Sequence, residues 1–189
     1  MVKFTVIWGG DSKDLAKRLA RTLKAVYIQT ETKIFPDGES KVTLGKIPKK
    51  SVMLVVQSTY PPVDTNLLQG LSINSQLRKI SSRTIAIIPY MGYARQDKQF
   101  LSGEVITMSV VAKMLQSVGA KKVIVVDIHS NTPLNHFNIP TENVSAVPEL
   151  VKYFKKLNLK NPLVVSPDAG GSSRSKKFAS LLKTDFIVL

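Results

Sequence analysis

Residues 123–130 read Val-Ile-Val-Val-Asp-Ile-His-Ser, a run of four β-branched residues preceded by Lys121 and Lys122 and followed by a polar segment. That pattern predicts a strand buried on both faces and therefore central in a parallel sheet. In open α/β sheets ligands sit outside the carboxyl ends of the strands. Asp127 and His129 fall there, and in an extended segment their side chains would point the same way. A carboxylate and an imidazole so placed make half of a divalent-cation site. Equally, Asp127 can cap a turn and His129 can be an ordinary hydrogen-bonded histidine, so other parts of the chain must decide.

Upstream, residues 2–8 alternate like a first strand and end at Gly9-Gly10. Asp11-Ser12 then offers a helix cap, and Leu15, Ala16, Leu19, Ala20 and Leu23 recur at helical spacing to about Lys24. A short strand near 25–29 precedes Phe35-Pro36-Asp37-Gly38-Glu39, where Pro at the second and Gly at the fourth place predict a turn displaying Phe35, Asp37 and Glu39. Residues 51–57 read as a buried strand. Residues 63–80 read as a helix through Leu67, Leu68, Leu71, Ile73 and Leu77, and 85–88 as a further strand. The segment Pro89 to Lys98 is polar and aromatic. A helix is expected from about Glu104 to Val118, with Val110, Val111, Met114, Leu115 and Val118 facing the core and Gly119 as its stop.

Downstream of Ser130, the Asn- and Pro-rich residues 131–144 are expected to cross to a second domain. There Pro148 begins a helix with Leu150, Val151, Phe154 and Leu157 on its core face. A strand at 163–166, the loop Pro167-Asp168-Ala169-Gly170-Gly171, a helix at 173–182 and a strand at 186–189 follow. Strand and helix alternate almost throughout, so the fold class is α/β, parallel sheets flanked by helices with right-handed crossovers. The boundaries read as one domain over 1–144 and the first part of another over 145–189. Two parallel strands rarely close a core, so the second domain is expected to be incomplete in this chain.

Of 189 residues, 43% are apolar and 21% charged, an ordinary globular balance. No apolar run has the length of a membrane span, the N-terminus lacks a signal-peptide pattern, and a cytoplasmic protein is expected. With no cysteine, neither disulfides nor thiolate metal sites can form. Lys and Arg exceed Asp and Glu by 27 to 13, a formal +14, which favours polyanionic partners such as nucleic acid or phosphorylated small molecules. No RNP-like aromatic strand or zinc spacing supports nucleic acid, and most of the scattered lysines read as a solvated face.

Four stretches in order, Phe35-Pro36-Asp37-Gly38-Glu39, Pro89-Tyr90 through Tyr93-Ala94-Arg95-Gln96-Asp97-Lys98, Asp127-Ile128-His129-Ser130 and Val165 through Gly171, resemble the signatures of the ribose-phosphate diphosphokinase (phosphoribosyl pyrophosphate synthetase) family. The resemblance spans nearly the whole chain. It implies two phosphoribosyltransferase-like domains and Mg²⁺-dependent transfer of the diphosphoryl group of ATP to the anomeric hydroxyl of ribose 5-phosphate, releasing AMP. By motif, Phe35 would stack on adenine, with Asp37, Gly38 and Glu39 beside it on a turn lent by a neighbouring subunit. The partner is then a second copy, in a homodimer or higher homo-oligomer. Arg95 and Gln96 would hold the ATP phosphates, and Asp127, His129 and Asp168 would serve magnesium. The positions matching two further acidic residues of many family members look like Asn138 and Glu142. The family's Lys/Arg catalytic loop and its ribose-5-phosphate loop would lie beyond Leu189, leaving no catalytic side chain within this chain. A non-catalytic regulatory homologue is the alternative, and the retained Arg95, Gln96, His129 and Asp168 speak against it.

Overall fold

The computed structural model describes residues 3–189, and the chain forms two compact units, Met1–Val144 and Ser145–Leu189. The first unit opens with β1 (Phe4–Trp8), α1 (Lys13–Thr22) and β2 (Val26–Tyr27), then a hairpin of β3 (Thr30–Ile34) and β4 (Ser40–Leu44). It continues through β5 (Val52–Val56), α2 (Val63–Arg78), β6 (Thr84–Ile88), α3 (Thr107–Ser117), β7 (Ala120–Val126) and β8 (Thr141–Val144). Six of these strands make one parallel sheet in the order β2-β1-β5-β6-β7-β8, while β3 and β4 pair antiparallel as a separate ribbon.

Alternation along the strands decides which face each residue covers. Ile7, Met53 and Val55 pack with Ile73 and Leu77 of α2, whereas Val6, Trp8, Leu54 and Val56 pack with Ala16 and Ala20 of α1. Further along the sheet, Ala86, Ile88, Val123 and Val125 meet Leu67 and Leu71 of α2 and Met108, Val111, Ala112 and Leu115 of α3. Two helices thus cover one face and a single helix serves the other. That asymmetry corrects one expectation: in the 123–126 run Val123 and Val125 are fully buried, but Ile124 and Val126 are only partly so.

The helical faces also shift. Leu15, Leu23, Leu68 and Val110 are exposed, while Ala16 and Ala20 are buried as expected and Ala112 lies inward on α3. Small inward residues let a helix approach the sheet closely, so the larger neighbours turn to its flanks. Helix α3 starts at Thr107 rather than near Glu104, because the Glu104 carboxylate folds back to accept the amides of Phe100 (2.8 Å) and Leu101 (3.0 Å). Residues 131–144 are no simple crossing: after a 3₁₀ turn over Thr132–His136, β8 pairs with β7 from Val123↔Thr141 to Val126↔Val144.

The second unit contains α4 (Val147–Lys156), β9 (Val164–Ser166), α5 (Ser172–Leu182) and β10 (Phe186–Val188), with β9 and β10 parallel. Phe154 of α4 meets Phe178 of α5 edge-on, ring centroids 5.6 Å apart. Val147, Val151 and Ala179 are buried, whereas Leu150 and Leu157, expected inward, are exposed.

Candidate functional site

The Pro89–Lys98 segment leaves the carboxyl end of β6 and is fastened from several sides. Met91 and Ala94 sink into the core. Thr59, in the loop after β5, donates its hydroxyl to the Tyr90 carbonyl (2.8 Å), and the same hydroxyl oxygen accepts the Gly92 amide (2.7 Å). Tyr93 has a φ of +62°, a left-handed conformation that costs a residue with a side chain. Its hydroxyl donates to Asp64 Oδ1, in the first turn of α2. This bond keeps the Tyr93 proton on and pushes the phenol above its ordinary range.

Gln96 is held as firmly. Its amide donates to the Tyr93 carbonyl (2.9 Å), its own carbonyl accepts the Met108 amide (3.1 Å), and Thr107 Oγ1 donates to its Oε1 (2.7 Å). The side-chain oxygen is therefore engaged, and the NH₂ end is left to face an acceptor. Arg95, between these anchors, is exposed and its guanidinium has no protein partner among the described residues. A fixed backbone carrying an unpaired planar cation and an amide donor is suited to phosphate oxygens.

The β7 end lies beside this loop because β6 and β7 pair in parallel up to Ile88↔Val125. Here an expectation fails in detail. The strand stops at Val126 and Asp127 has φ +40°, so Asp127 and His129 do not lie in an extended segment. The turn is secured through the Asp127 amide to the Val144 carbonyl (3.0 Å) and the Ile128 amide to Asn143 Oδ1 (3.2 Å). His129 is exposed and has no protein partner among the described residues. Downstream, His136 Nε2 lies 2.8 Å from the Asp97 carbonyl and ties the two loops together.

The Phe35–Glu39 turn forms as its residues require, at the tip of the antiparallel ribbon. Gly38 donates to the Phe35 carbonyl (2.9 Å) with φ +90°, a conformation natural to glycine, and Asp37 Oδ1 accepts the Glu39 amide (3.1 Å). Lys33 Nζ lies 5.0 Å from the centre of the Phe35 ring. In the second unit Asp168 Oδ1 accepts the Gly171 amide (2.7 Å). The Gly170-Gly171 pair thus serves a capped strand-to-helix turn, and one of its amides is already taken.

Among the described residues no group of three or more His, Asp or Glu side chains is gathered to hold a metal. Asp127 and His129 share a loop of the first unit, and Asp168 belongs to the second. On the first unit Asp127 offers the oxygen that a hard cation such as Mg²⁺ prefers, whereas the His129 imidazole suits it less. Glu142, matched by motif to an acidic position, is engaged with Lys122 (2.5 Å).

Several contributors carry no sequence signal. Strand order reverses between β1 and β5, the usual crevice of such sheets, but here Gln57 and Asn66 fill it. A Cβ on Gly9 would fall 1.9 Å from Gln57 Oε1, and one on Gly10 2.5 Å from Asn66 Oδ1. Both side chains also brace the loop after β5, Gln57 Nε2 to the Ser58 carbonyl (3.0 Å) and Asn66 Nδ2 to the Tyr60 carbonyl (2.7 Å). Ser12, expected to cap α1, instead accepts the Ser58 amide (2.8 Å) through its hydroxyl. Side chains thus occupy the switch-point crevice, and the exposed Arg95, Gln96 and His129 stand at the ends of β6 and β7.

Residues 4–119 match a family profile described as the N-terminal domain of ribose phosphate pyrophosphokinase. The chain is 37% identical over 179 residues to a ribose-phosphate pyrophosphokinase of Methanobrevibacter smithii, covering 94% of this chain and 59% of the relative. To that of Pasteurella multocida it is 38% identical over 185 residues, 96% of this chain and 59% of the relative. A crystal structure of phosphoribosylpyrophosphate synthetase from Mycobacterium smegmatis superposes with a TM-score of 0.87 at 28% identity, covering 98% of this chain and 63% of that one. The chain therefore spans about three fifths of the length of the curated relatives it matches.

Proposed function

This chain belongs to the ribose-phosphate pyrophosphokinase family, and from that premise we propose that it serves as a cytoplasmic transferase of nucleotide biosynthesis, moving the diphosphoryl group of ATP to ribose 5-phosphate. In that reaction the C1 hydroxyl oxygen attacks the β-phosphorus of ATP and loses its proton. The bond from the β-phosphorus to the α,β-bridging oxygen breaks, giving 5-phosphoribosyl 1-diphosphate and AMP. Such transfers rest on positioning and on neutralising spreading charge more than on a side-chain nucleophile.

The observation that carries the reading is the Arg95 guanidinium, exposed and without a protein partner among the described residues, beside the doubly anchored Gln96. In this reading Arg95 and the Gln96 NH₂ hold phosphate oxygens. Phe35 stacks on adenine, and Asp37, Gly38 and Glu39 contact the nucleoside, the turn reaching from a second copy in a homodimer or larger homo-oligomer. Asp127 and His129 are proposed donors to Mg²⁺ on the first unit, and Asp168, taken by itself, is a proposed donor on the second. When bound, the ion neutralises phosphate charge and orients the β-phosphoryl group.

The test is phosphorus NMR of the protein with Mg²⁺, ATP and ribose 5-phosphate, beside calorimetric ATP binding to wild type and Arg95→Ala. The expected result is AMP and a sugar diphosphate in step, with ATP affinity falling roughly 10- to 100-fold in the variant, since charge-assisted bonds are lost. ATP bound but left unchanged overturns catalysis by these 189 residues alone and favours the non-catalytic alternative, and equal affinity in Arg95→Ala overturns the phosphate assignment.

A further inference from the structure

Tyr93 holds its left-handed backbone between the core cluster it packs against and the beginning of α2. A Cβ on the preceding Gly92 would come within 2.7 Å of Val63 Cγ1 and 3.2 Å of the Thr59 carbonyl oxygen, so the backbone at 92–93 lies directly against that helix's first turn. The Tyr93 hydroxyl donates to Asp64 Oδ1, and two residues later comes Arg95. On its far side the same arm is fastened by Thr107 and Met108 to Gln96. Arg95 follows the buried Ala94 and stands between the anchored Gln96 and Tyr93, whose hydroxyl makes the arm's side-chain hydrogen bond to α2.

We infer that Asp64 and Tyr93 are positioning residues for the Arg95–Gln96 arm: the Tyr93–Asp64 hydrogen bond holds the arm in its phosphate-ready conformation and thereby sets nucleotide affinity. The inference rests on the reading that Arg95 and Gln96 bind ATP phosphates. The physical basis is preorganisation. A left-handed tyrosine released from its tether relaxes toward ordinary backbone angles, and the arm must then be reordered each time an anion binds. A carboxylate near an anion site also repels the anion, so Asp64 acts in two opposing directions. The tether opposes the repulsion, and the two are separable: Asn keeps the acceptor oxygen and removes the charge.

The experiment measures ATP affinity by calorimetry, and the thermal midpoint, for wild type, Tyr93→Phe, Asp64→Asn, Asp64→Ala and Arg95→Ala. Tyr93→Phe removes one oxygen from a partly exposed side chain, so the fold is retained while the tether is lost. The tether predicts that Tyr93→Phe and Asp64→Ala weaken ATP binding about 5- to 20-fold, as loss of a hydrogen bond to a charged group should. Asp64→Asn should stay near wild type, and the Tyr93→Phe/Asp64→Ala double variant should be no worse than either single one. Adenosine, which has no phosphate, should be affected little by any of them. Wild-type ATP affinity in Tyr93→Phe, with Arg95→Ala still weakened, overturns the positioning role and leaves the phosphate assignment standing. Tighter binding in both Asp64 variants shows that charge repulsion governs and likewise overturns it. Unchanged affinity in Arg95→Ala removes the assignment on which the inference depends, and that result is read from its own variant.

Discussion

At the scale of single residues, Glu104 shows how one carboxylate can end a turn rather than start a helix. Its oxygen Oε2 accepts two consecutive amides, those of Phe100 and Leu101, and these bonds favour the ionised form. Its pKa is accordingly lowered, chiefly by the Phe100 amide. The sign follows: with the folded value depressed below the ordinary glutamate value of about 4.3, the ordering is complete above that value. It is lost as pH falls through the lowered folded value. At neutral pH, Glu104→Ala should speed hydrogen exchange of the Phe100 and Leu101 amides roughly two- to tenfold, on the scale of one hydrogen bond each. Amides of β6 should not change. Equal exchange at 100 and 101 in the variant would show that the turn holds without its carboxylate.

At the scale of elements, the crevice between β1 and β5 is closed by side chains that need their glycine neighbours. Gly9→Ala places a methyl group 1.9 Å from Gln57 Oε1 and 2.9 Å from Ile73 Cδ1, which requires the core to move. Overpacking of this kind costs about 1–3 kcal/mol, or roughly 2–10 °C of thermal midpoint for a chain of this size. Because the nearest clash is with Gln57, pairing Gly9→Ala with Gln57→Ala should cost less than the sum of the two single changes; strict additivity would place the strain elsewhere.

The same region shows what the sequence makes legible. Runs such as 52–56 and 123–126 announce their strands because β-branched residues suit a buried pleat, and the Pro36/Gly38 turn announces its own geometry. The inward face of a helix is less legible: the alanines Ala16 and Ala20 are buried as expected but Leu15 and Leu23 are not, and on α3 Ala112 lies inward where Val110 was expected. Hydrophobicity ranks leucine first, whereas close helix–sheet approach selects for size. The four motifs supplied the candidate residues, but the side chains that brace the Pro89–Lys98 segment, Thr59, Asp64, Thr107 and His136, carry no sequence signal. Each acts through one or two hydrogen bonds to residues more than ten positions away, and no local period records that.

At the scale of the whole molecule, charge decides an outcome that single contacts would predict with the opposite sign. Exposed ion pairs such as Lys122–Glu142, which joins β7 to β8, and Lys152–Glu149 on α4 are weakened by salt, but each is worth only about 0.2–1 kcal/mol. Against them stands a formal +14, whose self-repulsion is relieved as ions screen it and which opposes the compact state throughout the chain. The screening length shrinks from about 30 Å at 10 mM to about 8 Å at 150 mM, so repulsion between distant lysines is removed before contact pairs are much affected. The thermal midpoint should therefore rise, by about 2–5 °C, between 10 and 150 mM sodium chloride. It should rise further in phosphate of equal ionic strength, because an anion that occupies the Arg95–Gln96 arm stabilises the folded state by mass action. In Arg95→Ala the chloride response should persist and the extra response to phosphate should shrink. A midpoint that falls with chloride would show that local ion pairs outweigh the net charge, and an undiminished phosphate increment in Arg95→Ala would place the anion elsewhere on the basic surface.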